Sequence, residues 1–275
     1  MVSRTSDRLP VYDYRQGDGP VLVFLHYWGG SARTWQPVLD RLPGRAALTV
    51  DLRGWGRSRE LPGPYTLEQF AHDTAAVVAD AGVTDYLLVG HSMGGKVAQL
   101  AASARPDGLA GLVLVAPGPA KPAATVTPEY REGLAHAYDS DESTAAARDA
   151  VLTATALSDE TKAQIVADSR ACGEEARLEW PLHGIAEDIT SAARGIDVPV
   201  LVVAGEHDRV EPAGVLRDNL LPYLARARMT VLPRSGHLLP LEAPDELAQL
   251  LEDGWHRRPH GPALSGGAGI RGERR

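Results

Sequence analysis

Cysteine is almost missing from this sequence. Its 275 residues contain one, Cys172. A single thiol excludes an intrachain disulfide and any metal site built from clustered cysteines, and it suits a reducing cytoplasm, where the chain is expected to reside. No two histidines share a metal-ligand spacing within a segment that reads as helix, so neither a metal nor another cofactor is expected. Basic residues are in the minority, 28 Lys and Arg against 36 Asp and Glu, for a formal net charge of −8. Such a chain lacks the positive footprint that nucleic acid or an anionic membrane surface requires, and neither is expected as a partner. Long apolar runs are also lacking. None nears the roughly 20 residues that cross a bilayer, and the polar stretch Met1–Pro10 has no apolar centre of the kind a signal peptide carries.

What is present is an ordinary globular balance, 44% hydrophobic and 23% charged. Short apolar runs recur at Val21–Leu25, Ala46–Val50, Tyr86–Val89, Leu112–Val115 and Val200–Val203, with a shorter one at Met229–Leu232. Runs of this length without polar alternation read as parallel strands covered on both faces. Leu67–Ala81 and Val97–Ala104 carry apolar residues at helical spacing between them. Alternating strand and helix predicts an α/β fold, a doubly wound and mostly parallel sheet. Val11–Arg15 reads as a strand that precedes the parallel part.

The alternation stops between Gly118 and Gly195, where the sequence is alanine-rich and helix-like at Ser143–Ala156 and Asp159–Ala171. Ser143 and Asp159 are the expected N-caps. The expected organisation is a core of residues 1–117 and 196–254, a helical insertion at 118–195, and a disordered Gly, Pro and Arg-rich tail at 255–275.

The chemistry-bearing motif is Gly90-His91-Ser92-Met93-Gly94, a G-x-S-x-G pattern. It directly follows an apolar strand and directly precedes a helix, the setting of a strained turn that lifts a serine hydroxyl above the sheet. Gly90–Lys96 also fits the start of a phosphate-binding loop, G-x-x-x-x-G-K. That loop needs Ser or Thr next to ligate magnesium, and here Val97 follows, so Lys96 is expected on an exposed helix face. A serine hydroxyl needs a base. His237, in a loop after the last strand, fits the order Ser, acid, His; Asp208, just after Val200–Val203, fits the acid, with Glu206 as its competitor. His26 and His91 read as structural hydrogen-bonding residues.

With these residues placed, Leu9 to Trp255 resembles the α/β-hydrolase family. His26-Tyr27-Trp28-Gly29-Gly30-Ser31 looks like its oxyanion loop, Asp51–Ser58 like its D-x-R-G-x-G-x-S turn, and Pro199–Asp208 like its proline-led strand and acid. The resemblance implies a cap at 118–195 and an oxyanion hole made by the backbone N–H groups of Trp28 and Met93. Tyr27 stands where the family usually has glycine, and its ring is expected at the mouth of the site. Ser92 sets the chain apart from relatives that attack with aspartate. The Asp51–Ser58 turn is expected to brace the structure.

The expected activity is hydrolysis of a carboxylic ester or lactone of a small, mostly apolar molecule through an acyl-enzyme. Substrate-contact candidates are Tyr27, Tyr138, Trp180, Leu182 and His183. The same three groups also serve carbon–carbon bond hydrolases and cofactor-free perhydrolases resembling haloperoxidases. A non-catalytic receptor is the remaining class, and it has no need of all three.

Overall fold

A computed structural model of the chain describes residues 2–4 and 9–256, with side chains over 9–253. Eight strands form one sheet: β1 (Val2–Arg4), β2 (Tyr12–Arg15), β3 (Asp18–Leu25), β4 (Arg45–Val50), β5 (Tyr86–His91), β6 (Leu109–Val115), β7 (Val200–Gly205) and β8 (Ala227–Leu232). Their order is β1-β2-β4-β3-β5-β6-β7-β8. The β1–β2 and β2–β4 pairs are antiparallel, and every other pair is parallel.

The apolar runs serve two cores at once. Val23, Leu25, Leu48, Leu88, Leu114 and Val202 pack on one face of the sheet. Their chain neighbours Leu22, Phe24, Leu87, Val89, Val113 and Val203 pack on the other. Successive strand residues point to opposite faces, so a strand covered on both sides must be apolar throughout. Each aliphatic side chain so buried contributes about 1.5–3 kcal/mol. The covering helices include Leu67–Asp80, whose first turn is capped by the Thr66 hydroxyl, Met93–Ser103 and Pro244–His256.

Between β6 and β7 lie five further α-helices, Pro128–Ala135, Asp141–Ala147, Asp159–Arg170, Glu174–Leu182 and the short Thr190–Ala193. The single helix expected over Ser143–Ala156 differs from what forms. Ser140, not Ser143, caps it, and at Arg148 the α-helix gives way to a π-helical turn ending at Leu152. Thr153 closes that turn by donating its N–H and its hydroxyl to the Arg148 carbonyl. Ser158 rather than Asp159 caps the next helix. At the C-terminus, Trp255 and His256 continue the last helix rather than beginning a tail; the remainder of the expected tail, 257–275, lies outside the described residues.

Lys96 is a second correction. It is wholly buried, not exposed, and its Nζ donates to the carbonyls of Gly184 and Ile185 at 3.0 and 3.2 Å. The Trp180 ring covers it from 5.8 Å. The helix that follows Ser92 is thereby tied to the segment between β6 and β7.

Strand order fixes where a site can form. β4 lies on one side of β3 and β5 on the other, so the connections leaving β3 and β5 diverge. The crevice at such a switch point is where α/β sheets bind ligands. Leu25 pairs with Gly90 in the β3–β5 register, which puts Tyr27–Trp28 and Ser92 just beyond adjacent strand ends.

Candidate active site

Ser92 has φ 53° and ψ −117°, a conformation that costs a non-glycine residue about 1–3 kcal/mol and persists only where the surroundings impose it. They do. The Ser92 N–H donates to Val115, and its carbonyl accepts from Gly95, Lys96 and Gly118. The flanking glycines are steric necessities: a Cβ on Gly90 would lie 2.3 Å from the Gly94 carbonyl oxygen, and one on Gly94 2.5 Å from that of His26.

The three residues expected to act together are brought together. His237 Nε2 lies 2.8 Å from the Ser92 hydroxyl, and His237 Nδ1 lies 2.9 Å from an Asp208 carboxylate oxygen. With Nδ1–H donating to Asp208, Nε2 is left to accept from Ser92. The other Asp208 oxygen accepts from the N–H groups of Val210 and Glu211. Burial alone would raise the Asp208 pKa; the His237 ring and these backbone donors outweigh it and hold the pKa below the usual carboxylate value. Glu206, the competing acid, is half-exposed beside His207 and accepts instead from the Arg234 N–H.

The two neighbouring histidines are held neutral by their surroundings. His91 donates its Nε2–H to the His237 carbonyl at 2.8 Å. Burial, then the nearby His237, push its pKa down to about 3. His26 donates from Nδ1 to the Tyr27 carbonyl and accepts the Leu52 N–H at Nε2, and burial lowers its pKa as well. It fastens the loop after β3 to the Asp51–Ser58 turn. In that turn Arg53 makes a buried bidentate pair with Asp73, while Asp51 accepts from Arg57 and from the Ala32 N–H. The turn does not reach the cavity and braces the loop behind it.

The Trp28 and Met93 N–H groups have no hydrogen-bond partner among the described residues. Met93 is the first residue of its helix, where N–H groups are left free and the helix dipole favours negative charge. The Trp28 loop is clamped from the segment between β6 and β7. Tyr138 donates its hydroxyl to the Trp28 carbonyl at 3.1 Å and stacks on its ring at 4.1 Å. Ser169 donates to the Gly29 carbonyl, and Trp28 Nε1–H donates to Arg177.

Ser92 and His237 open on a cavity of about 350 Å³ with mainly apolar walls. Of the contact candidates, Tyr27, Tyr138 and Trp180 line it, and Leu182 and His183 do not. Trp180 faces inward. Two residues on, at about 100° per residue, a helical side chain faces away; the Leu182 carbonyl accepts from Arg131, and His183 is exposed. Tyr27 is a wall rather than part of the mouth. It is buried with Leu152, Ile165 and Leu238, and its ring lies 2.7 Å from where a Cβ on Gly30 would be.

Leu152, Ile185, Val210 and Glu211 also line the cavity and were not singled out from the sequence. Only Glu211 carried a signal, an acidic residue three positions after the expected acid. The Leu152 carbonyl also accepts from His237 and Leu238, so the π-helical turn both lines the cavity and holds the histidine loop.

Comparison with known proteins agrees with this fold. The family model described as the alpha/beta hydrolase family matches residues 22–250. A pimeloyl-(acyl-carrier protein) methyl ester esterase of Nitrosomonas europaea is 30% identical over 254 residues, 86% of this chain and 96% of its own. A non-heme haloperoxidase of Rhodococcus erythropolis is 27% identical over 256 residues, 84% of this chain and 90% of its own. Among solved structures, a thermophilic esterase from Thermogutta terrifontis with malate bound superimposes with a TM-score of 0.75 at 25% identity, covering 90% of this chain and 93% of its own.

Proposed function

The chain belongs to the alpha/beta hydrolase family, and from that premise we propose that it is a serine hydrolase that cleaves a carboxylic ester or lactone of a small, mostly apolar substrate. The observation that carries this reading is the unbroken hydrogen-bond chain from Asp208 through His237 to Ser92, ending on an apolar cavity. Ser92 attacks the ester carbonyl while His237 takes its proton. The oxyanion accepts from the Trp28 and Met93 N–H groups, which are fixed in place before charge develops. His237 then gives its proton to the leaving alkoxide, and an acyl-Ser92 ester remains. A water deprotonated by His237 releases the acid and restores the hydroxyl. Asp208 holds the tautomer that this cycle needs and stabilises the imidazolium.

Residues 1–117 and 196–254 form the core in this reading, and 118–195 the cap that walls the substrate from water. No helix among the described residues is long and apolar enough to cross a membrane. The half-buried Cys172, its thiol pushed up to about 11 by burial, suits the reducing cytoplasm in which we place the protein. The haloperoxidase relative favours one second reading, in which hydrogen peroxide replaces water as acceptor of the same acyl group.

A panel of esters, lactones and vinylogous diketones, assayed with wild type and Ser92→Ala, tests the proposal. An ester or lactone should be hydrolysed, and Ser92→Ala should lower kcat by about 10⁶-fold with an unchanged melting temperature. Retention of most activity by the alanine variant would refute the serine nucleophile. Turnover of the diketones alone would move the activity to carbon–carbon bonds.

A further inference from the structure

Glu211 is 6% exposed and lines the cavity with Ser92 and His237. Its backbone N–H holds Asp208, but any residue supplies that. Among the described residues its carboxyl has no hydrogen-bond or ion-pair partner, although buried carboxyl groups are expected to be paired. Lys96 is near enough to be felt, but two of its three N–H groups go to Gly184 and Ile185 and it makes no ion pair with Glu211. Of the other polar side chains in the wall, Glu129 and Tyr130 are exposed, and Tyr138 donates to the Trp28 carbonyl. No hydrogen bond joins the buried Tyr27 to Glu211 among the described residues. The carboxyl opens on the cavity, and neither the triad nor the fold uses it. What remains to satisfy it is whatever enters the cavity.

We infer that Glu211 is a specificity-determining residue, whose carboxyl hydrogen-bonds an uncharged hydroxyl or carbonyl oxygen that the substrate carries away from its scissile bond. The enzyme then prefers hydroxy- or oxo-substituted apolar esters or lactones over plain alkyl ones. This rests on the reading of the cavity as an acyl-ester site. The surroundings favour an uncharged partner. Burial and the Asp208 carboxylate hold the Glu211 proton on well above the usual carboxyl range, with Lys96 opposing. A protonated carboxyl can both donate to an oxygen and accept from a hydroxyl. An ionised one would select an ammonium group instead.

Ser92→Ala, which cannot turn substrate over, separates binding from chemistry. Straight-chain methyl esters bearing a hydroxyl, an oxo group or an amine, moved one carbon at a time along the chain, are titrated against it beside unsubstituted esters of equal length. Fluorescence of Trp28 and Trp180, both in the cavity wall, reports binding. At one chain position the hydroxy or oxo ester should bind about tenfold tighter than its alkyl counterpart, one hydrogen bond's worth. Adding Glu211→Leu should erase that ratio, and adding Glu211→Gln, which also donates and accepts without charge, should keep most of it. No preference at any position, a preference for the amine, or a ratio that survives Glu211→Leu would overturn the inference. If the leucine variant does not fold, Ser92→Ala alone still overturns the inference by showing no preference or a preference for the amine. Adding Glu211→Asp, one methylene shorter, should then weaken the preference or move its position along the chain, and an unchanged preference would overturn the inference. Wild type that hydrolyses esters without this preference sinks Glu211 alone. The preference without hydrolysis of any ester sinks the proposed reaction alone.

Discussion

Asp208 and Glu206 are two carboxylates in one short turn, and only their surroundings tell them apart. Asp208 is buried, with one oxygen on His237 and the other on two N–H groups; Glu206 faces solvent beside His207. Asp208→Asn presents a donor where the imidazole N–H needs an acceptor and so favours the wrong tautomer; kcat should fall about 10⁴-fold. Glu206→Gln should change kcat less than about twofold, within the reach of an exposed charge. Steady-state kinetics of the two variants on one ester checks the ranking, and the reverse order would move the acid to Glu206. The acid, base and serine were legible in the sequence because each sits at a strand end, in an order that motif spacing preserves. Glu211 and Lys96 were not. Whether a charged side chain is buried depends on what folds over it, and the residues covering Lys96, Trp180 and Gly184–Ile185, lie more than eighty positions away in the chain.

The elements were legible where local pattern determined them. The central strands β3 to β7 fall where short apolar runs predicted them, because burial on both faces leaves few polar positions to blur the signal. β8, only partly buried and carrying Arg228 and Thr230, begins two residues before its run. Helices between β6 and β7 were less so. An alanine-rich stretch is compatible with both the α-helix and the π-helical turn at 148–152, and the choice is made by contacts such as that of Leu152 with the histidine loop. The helix after Ser92 carries its own test through Lys96, whose pKa burial pushes down to about 8 from 10.5. Between those values the unfolded chain binds a proton that the folded one has released. Stability should therefore rise with pH across that window, by up to about 1.4 kcal/mol per pH unit from this group. Below about 8 both states are protonated, and the cost of the buried charge is constant. Lys96→Met removes the titration, so the stability difference between wild type and variant should shift towards wild type as pH rises from 8 to 10.5. Urea unfolding at the two ends of the window measures it. A difference independent of pH would mean that Lys96 keeps its charge through hydrogen bonds to the two carbonyls.

At the scale of the whole molecule, the segment between β6 and β7 does more than roof the cavity. It grips the loop that carries the Trp28 N–H at three places, through Tyr138, Ser169 and Arg177. It is fastened to the core nearby, where Asp168 accepts from Ser31 and Arg33. The sequence suggested an insertion and a loop as separate features; their union could not be read from it, since each contact joins residues more than a hundred positions apart. The consequence can be tested at Tyr138. Its ring lines the cavity, so as a simple wall residue it would change KM for bulky substrates and leave kcat on a small activated ester alone. Its hydroxyl, however, is spent on the Trp28 carbonyl and so fixes the peptide group whose neighbour donates to the oxyanion. Tyr138→Phe keeps the ring and the stack on Trp28 and removes only that bond. The loop should loosen by the worth of one hydrogen bond, and kcat should fall about three- to tenfold, by the same factor on p-nitrophenyl acetate as on a longer ester. A uniform fall in kcat with KM nearly constant marks a group that positions the oxyanion hole. A change confined to KM on the longer ester would reduce Tyr138 to a wall of the pocket, and the grip on Trp28 would then have no part in the chemistry.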